Sequence, residues 1–332
     1  MSDDATNKNF RYSNDNRELD YGSYDYPSQQ SIDPSTQKGD RHFYPNDNGG
    51  HYPNSNRLDI SFVDPSPKKQ SPNTNKLWTP RSIINELKMW HDADDCNTLY
   101  SDISKTTLSQ NDPNQTIALL EDKIGYKDLF QSDPLDQPSY LTTPNSNNKK
   151  VIDFDGDDHL ASSGGFQTGG NYSIFIVAEF ITIDGAGDGL ISATGPTNSW
   201  QAIAGSGSSF QFKWVSSGAN SSSKTFASNA QNGPSIYELI FNIDSSTLSV
   251  FIDGTSFGTT TYADLYGSGA FILFGNRARN QNPKGWVGEN IMVDHAVNES
   301  YRNKIEGYLA HKWGLERNLP SSHIYKKQTP TL

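Results

Sequence analysis

The chain has 332 residues, enough for one large domain or two ordinary ones, and its hydrophobic share of 33% is low for a globular chain. A formal net charge of −11 argues against sequence-independent nucleic-acid binding and against an anionic membrane surface as partner. One cysteine, Cys96, rules out a disulfide framework within the chain, and no apolar run approaches the roughly 20 residues of a membrane span.

The N-terminus, MSDDATNKNF, has neither a basic start nor an apolar core, so no secretory signal is read and synthesis in a reducing cytosol is expected. Residues 1–76 carry five aliphatic core formers after the start Met (Leu19, Ile32, Leu58, Ile60 and Val63) against nine Tyr and Phe. Such a segment cannot fill a core and is expected to be an extended arm. Its aromatics resist a solvated-linker reading, because Tyr joins a large apolar face to a polar tip and suits an interface. Tyr21, Tyr24, Tyr26, Phe43, Tyr44 and Tyr52 are the expected partner-binding residues. Leu58, Ile60 and Phe62 alternate with Asp59 and Ser61, a short strand able to add to a partner's sheet edge.

From Leu77 the composition changes. Thr79 and Pro80 suit the N-cap and first position of a helical turn, and a strand is expected near Leu87–His91. Thr116–Asp122 (TIALLED) fits a short helix or a strand equally. Cys96 is expected as a small buried residue at a strand end. Strands then follow at 150–155, 158–162, 171–183, 188–194, 199–204, 208–215, 222–227, 235–243, 247–253, 270–276 and 285–294. In the clearest hairpin, Leu248, Val250 and Ile252 alternate with Ser249, Phe251 and Asp253, and Asp253-Gly254 supplies the next tight turn. Ser216–Ser223 is expected as a flexible loop. Short strands joined by Gly-, Ser- and Asn-rich turns predict an all-β, antiparallel two-sheet jelly-roll sandwich within 77–332. At its end, Asn298 suits an N-cap, Ile305 and Leu309 share a face, and Gly314 suits a left-handed stop. A helix over about 298–313 is expected to close the sandwich, with Leu309 and Trp313 buried.

Three segments carry a family resemblance. KIEGYLAHKWGLERNLPSSHIYK resembles the C-terminal end of concanavalin A-like, laminin-G-like jelly-roll domains. LKMWHDADDCNTLY (Leu87–Tyr100) resembles their entry strand, and VIDFDGDDHL (Val151–Leu160) their F-D-G-x-D-x-L hairpin. Together they cover roughly residues 77–325. Such domains are common in virion proteins of marine bacteriophages and in some bacterial surface proteins. The resemblance implies a fold and a habit of binding sugars or other surfaces, and no reaction. It implies a bacteriophage structural protein, in the capsid decoration, fibre or tail, made in the host cytoplasm and attached by its arm. The partners implied are other virion proteins of capsid or tail, a host-surface glycan, and further copies of the chain. The alternatives are a carbohydrate-binding bacterial surface protein and, behind it, a polysaccharide-degrading enzyme.

The residues themselves offer few constellations for chemistry. Sugar binding needs a polar groove with an aromatic platform. Trp200, Trp214 and Trp286 are the candidate platforms, and Asn276 and Arg277, after a strand, the candidate polar contacts. No cofactor is expected; Ca²⁺ is the one ion considered, with Asp155, Asp157 and Asp158 as ligands, because such jelly-rolls often bind it on loops and hard cations want several oxygens. Those side chains would otherwise bond turn amides. A glycosidase needs two carboxyls flanking the bond, and no E-x-D-x-x-E-like strand is found. Glu179 and Glu289 are the carboxylates whose loss would matter if it were one. The histidines lack metal spacing, and no glycine-rich phosphate loop is found.

Overall fold

A computed structural model describes residues 76–332 except 112–115, 165–169, 183–187, 195–198, 206–208, 216–220, 228–232, 263–268 and 276–281. The residues of the expected arm from Tyr21 to Phe62, most of the expected loop at 216–223, and Asn276 and Arg277 lie outside the described residues. In chain order the strands are β1 (Leu87–Asp92), β2 (Leu99–Tyr100), β3 (Leu119–Leu120), β4 (Leu129–Phe130), β5 (Ser139–Thr142), β6 (Lys150–Asp155), β7 (Leu160–Ala161), β8 (Tyr172–Thr182) and β9 (Asp188–Ala193). They continue with β10 (Ser199–Gly205), β11 (Ser209–Val215), β12 (Ser221–Ala227), β13 (Ser235–Asn242), β14 (Thr247–Ile252), β15 (Thr255–Thr261), β16 (Phe271–Leu273) and β17 (Lys284–Val293). One helix, α1 (Glu299–Trp313), follows.

The strands form two antiparallel sheets packed as a jelly-roll sandwich. One runs β15-β14-β13-β8-β17-β6-β5, with β1 pairing the far half of β17; the other runs β12-β11-β10-β9-β16-β7-β4-β3-β2. Tyr172, Ile174, Ile176, Tyr237, Leu239, Phe241, Leu248 and Val250 of the first sheet meet Trp200, Phe210 and Phe212 of the second in the central core. A second core lies on the outer face of the first sheet. There Phe175, Val177, Ile236, Trp286, Ile291 and Val293 pack against Ile305, Leu309 and Trp313 of α1. Strands β8 and β17 are therefore apolar on both faces, which is why their sequences read as nearly continuous apolar runs.

Helix α1 begins and ends as its sequence predicts. The Asn298 side chain accepts the Tyr301 N–H at 3.0 Å, and Gly314 takes φ 74°. Leu309 and Trp313 are fully buried. The apolar stripe underestimates the burial, since Arg302, Glu306, Gly307 and Ala310 are buried as well. The reason is the segment after Gly314, which returns over the helix; a Cβ on Gly307 would sit 2.5 Å from that of Tyr325. Gly288 of β17 likewise admits the Trp313 ring, 2.7 Å from where its own Cβ would be.

Of the two readings open for TIALLED, the strand is the one found, as β3 at Leu119–Leu120. Two further points differ from expectation. Cys96 is half-buried at the start of a 3-10 turn, Cys96–Thr98, because the Asp95 side chain caps the Asn97 N–H there. Strand β15 was not expected. Its sequence, TSFGTTT, has no apolar alternation, because it is an edge strand paired with β14 alone.

Candidate functional site

The outer face of the first sheet is only partly covered by α1. Along β14, Leu248, Val250 and Ile252 point into the central core, so Ser249 and Phe251 point outward. Ile240 of β13 stands opposite Ser249 in the ladder. The segment before α1 places Val297 beside them, and the first helical turn adds Glu299 and Arg302. These six residues line a groove of about 410 Å³. Phe251 is half-buried, with the Arg302 guanidinium 4.0 Å from its ring centre.

Arg302 is anchored from beneath. Its Nη1 donates to Glu306 Oε1 at 2.5 Å and lies 3.8 Å from Glu238 Oε2. Both carboxyls are fully buried. Burial, and then the charge of Glu306, push Glu238 well above the usual carboxylate range. Burial also pushes Glu306 up, but the His323 ring, Glu238 and Arg302 together outweigh it and hold Glu306 below its ordinary value. Glu238 is thus the protonated member of the pair. His323 Nε2 lies 2.7 Å from Glu306 Oε2, while Nδ1 accepts the Tyr325 N–H at 3.2 Å. Among the described residues the guanidinium has hydrogen-bonding partners only through Nη1, so its Nε and Nη2 donors are uncommitted.

The groove therefore combines an apolar wall (Ile240, Phe251, Val297), a fixed planar donor (Arg302), an exposed acceptor (Glu299) and a hydroxyl (Ser249). On the opposite side of the same helical turn, a groove of about 340 Å³ includes Trp78, Ile83, Tyr301 and Lys304. Its indole is only 4% exposed, and the Tyr301 hydroxyl is already donated to Glu86 at 2.8 Å.

The aromatic residues singled out from sequence lie elsewhere. Trp200 is 1% exposed and packs on Phe241 and Phe212 in the central core. Trp286 is also 1% exposed, stacked on Trp313, with its Nε1 donating to Glu179 Oε2 at 2.6 Å. Neither ring offers a face to a ligand. Phe251, which sequence reasoning did not select, had a visible signal: it is an aromatic residue on the polar register of its strand.

The carboxylates fall into separate environments. Glu289 is buried and saturated, accepting from Trp90, Trp313 and Tyr308 and pairing with Lys312 at 2.8 Å. Glu179 is held by Trp286 and Asn145. Asp155, Asp157 and Asp158 come together at the turn after β6, each offering a ligand oxygen within 4.8 Å of the others. Turn amides are bonded there too: Asp158 Oδ2 accepts the Asp155 N–H at 3.0 Å. Burial, offset in part by that N–H, pushes Asp158 up to about 7, and the hydrogen bond with Asp155 pushes Asp157 up. Nearby, Asn282 donates to the Asp157 carbonyl, and its own Oδ1 is buried without a partner among the described residues.

No protein-family model and no curated protein matches the chain. Solved structures similar to it include the CBM40 of the Ruminococcus gnavus IT-sialidase bound to α2,3-sialyllactose, at 11% identity and TM-score 0.35 over 40% of this chain and 80% of that one. Another is of botulinum neurotoxin type C, whose cell entry depends on two ganglioside molecules, at 12% identity and TM-score 0.46 over 70% of this chain and 53% of that one. A third is the binding domain of Paraclostridial Mosquitocidal Protein 1, at 12% identity and TM-score 0.44 over 59% of this chain and 52% of that one. Likenesses at this level carry no information on function.

Proposed function

We propose that the protein is a non-enzymatic glycan-binding jelly-roll whose ligand lies in the Phe251–Arg302 groove. The observation that carries this is the uncommitted donor set of Arg302 beside a half-buried aromatic ring. A sugar ring has apolar C–H patches and a rim of hydroxyls. The patches suit Phe251, Ile240 and Val297, and the hydroxyls suit Arg302, Glu299 and Ser249. The neutralised, closed environment of Glu289 supports a scaffold role for it and binding rather than hydrolysis. Probing the full chain against a glycan array tests the reading. Phe251→Ala should weaken the strongest hits about tenfold or more, and unchanged binding would move the site elsewhere.

The finer assignment is a bacteriophage virion protein, displayed on capsid, fibre or tail and attached through residues 1–76. It is supported by the C-terminal resemblance and by the aromatic-rich, aliphatic-poor composition of that segment. A mass-spectrometric inventory of purified particles should contain the full chain, and a chain lacking residues 1–76 should fold without joining the particle.

Ca²⁺ at the turn after β6 belongs to the same proposal. Asp155, Asp157 and Asp158 fit a hard cation as three of its roughly six oxygens. Bound there, it would take the three carboxylates in their ionised form and would brace the turn. Millimolar Ca²⁺ should then raise the Tm, and the Asp157→Asn variant should lose that response.

A further inference from the structure

Resting on the glycan reading of the groove, we infer that the site takes a neutral saccharide and discriminates against carboxylated and sulfated ones. The charges around Arg302 decide this. Its guanidinium is the one cation among the six lining residues, and its charge is already matched by Glu306 at 2.5 Å. Glu299, exposed at the rim, leaves the groove with an excess of negative charge. Asp253, beyond the end of β14 and not among the lining residues, brings no cation either: its carboxylate accepts the Ile236 N–H at 2.8 Å, and no cation is paired with it among the described residues. From the returning C-terminal segment, His323 is engaged with Glu306 at 2.7 Å, and burial with the charge of Glu306 pushes Glu238 well above the usual carboxylate range. An anionic sugar would bring a further negative charge to Glu299 and gain no free cation in exchange.

The hydrogen-bonding inventory points the same way. A carboxylate or sulfate only accepts, so it could meet Arg302 but would leave the Glu299 acceptor facing another acceptor. A hydroxyl both donates and accepts. Neighbouring hydroxyls of one neutral ring can accept from the planar Arg302 fork and donate to Glu299 together, while the C–H face rests on Phe251.

The test uses the full chain with immobilised neutral oligosaccharides (gluco-, manno-, galacto- and xylo-series) beside sialylated, uronate-containing and sulfated ones, at fixed moderate salt. The tightest neutral ligand should bind at least about tenfold more tightly than any acidic one. Glu299→Gln, at an exposed position that leaves folding intact, should narrow that gap several-fold by weakening neutral ligands and admitting acidic ones. Acidic glycans bound as tightly as neutral ones, and lost on Phe251→Ala, would overturn the neutral-sugar inference and leave the glycan groove standing. No binding to any saccharide, or binding indifferent to Phe251→Ala, would overturn both.

Discussion

Two buried ionic clusters stand on the same outer face of the first sheet, and they differ in one respect. Around Glu289, every capacity is used. Two indole N–H groups, a tyrosine hydroxyl and Lys312 converge on one carboxylate, and Lys312 continues to Asp92 at 2.6 Å. Lys123 closes the set from the other side, 3.1 Å from Asp92 and 2.6 Å from Asp95. Around Arg302, capacity is left over: a guanidinium hydrogen-bonded at one nitrogen, beside an adjoining groove. A saturated cluster fixes geometry, here the seating of α1 on β1 and β17. A cluster with spare donors beside accessible volume can answer to a ligand. Buried charge by itself does not mark a site; uncommitted hydrogen bonds at a surface do.

The largest effect should come from breaking the saturated cluster. Trp313→Ala removes a fully buried ring from the second core and one of the donors to Glu289. It should cost about 3–5 kcal/mol in urea-unfolding experiments. A cost below about 1 kcal/mol would mean that α1 does not seal the sandwich.

A smaller effect should come from the rim of the other cluster and should depend on pH. Burial, only partly offset by the Ile236 N–H it accepts, raises Asp253 from 3.8 to about 6. Its folded pKa lies above its unfolded one. Its contribution to stability is therefore fully present below about pH 4 and is lost as pH rises through about 6. At about 1.4 kcal/mol per pH unit, the loss by pH 8 is about 3 kcal/mol. Asp253→Asn keeps an oxygen for Ile236 and suits the backbone, which has φ 50° there. The variant should match the parent near pH 4 and exceed it by up to about 3 kcal/mol at pH 8. Equal stabilities at both pH values would show that Asp253 is not strained by burial.

Much of the fold was legible because its signals are local. Asn298, Gly314 and the spacing of Ile305 and Leu309 delimit α1, and the alternation of β13 and β14 sets their register. What was illegible depends on partners distant in the chain. Trp286 lies on the face of β17 that points away from the central core, a fair place for a ligand platform. The arrival of α1, with Trp313 stacked on it, covers it, and no strand pattern encodes that. Arg302 and Glu306 are visible as an i,i+4 pair, which on most helices is a solvated pair. Their burial comes from Glu238 on β13 and from His323 beyond the helix. Phe251 could have been found, because an aromatic among Ser249 and Asp253 on one strand face is out of pattern for a solvated surface.

The smallest stability effect belongs to that residue, and it separates the two regions most sharply. Phe251 is half-buried and lies on the outer face of β14, which pairs with β13 and β15 through its backbone. Phe251→Ser restores the polar alternation of the strand, leaves the central core untouched and removes the ring beneath the Arg302 guanidinium. The lost cation–π contact and the partial exposure together should cost about 1 kcal/mol, well below the cost at Trp313. Arg302 stays anchored by Glu306, so the fold and the Asp253 titration should persist. Glycan binding should not, because the one aromatic ring of the apolar wall is gone. Near-parental urea unfolding with binding lost is the expected pair of results. A large loss of stability would place Phe251 with Trp313 among the residues that hold the sandwich together, and the groove would then be a seam of the fold.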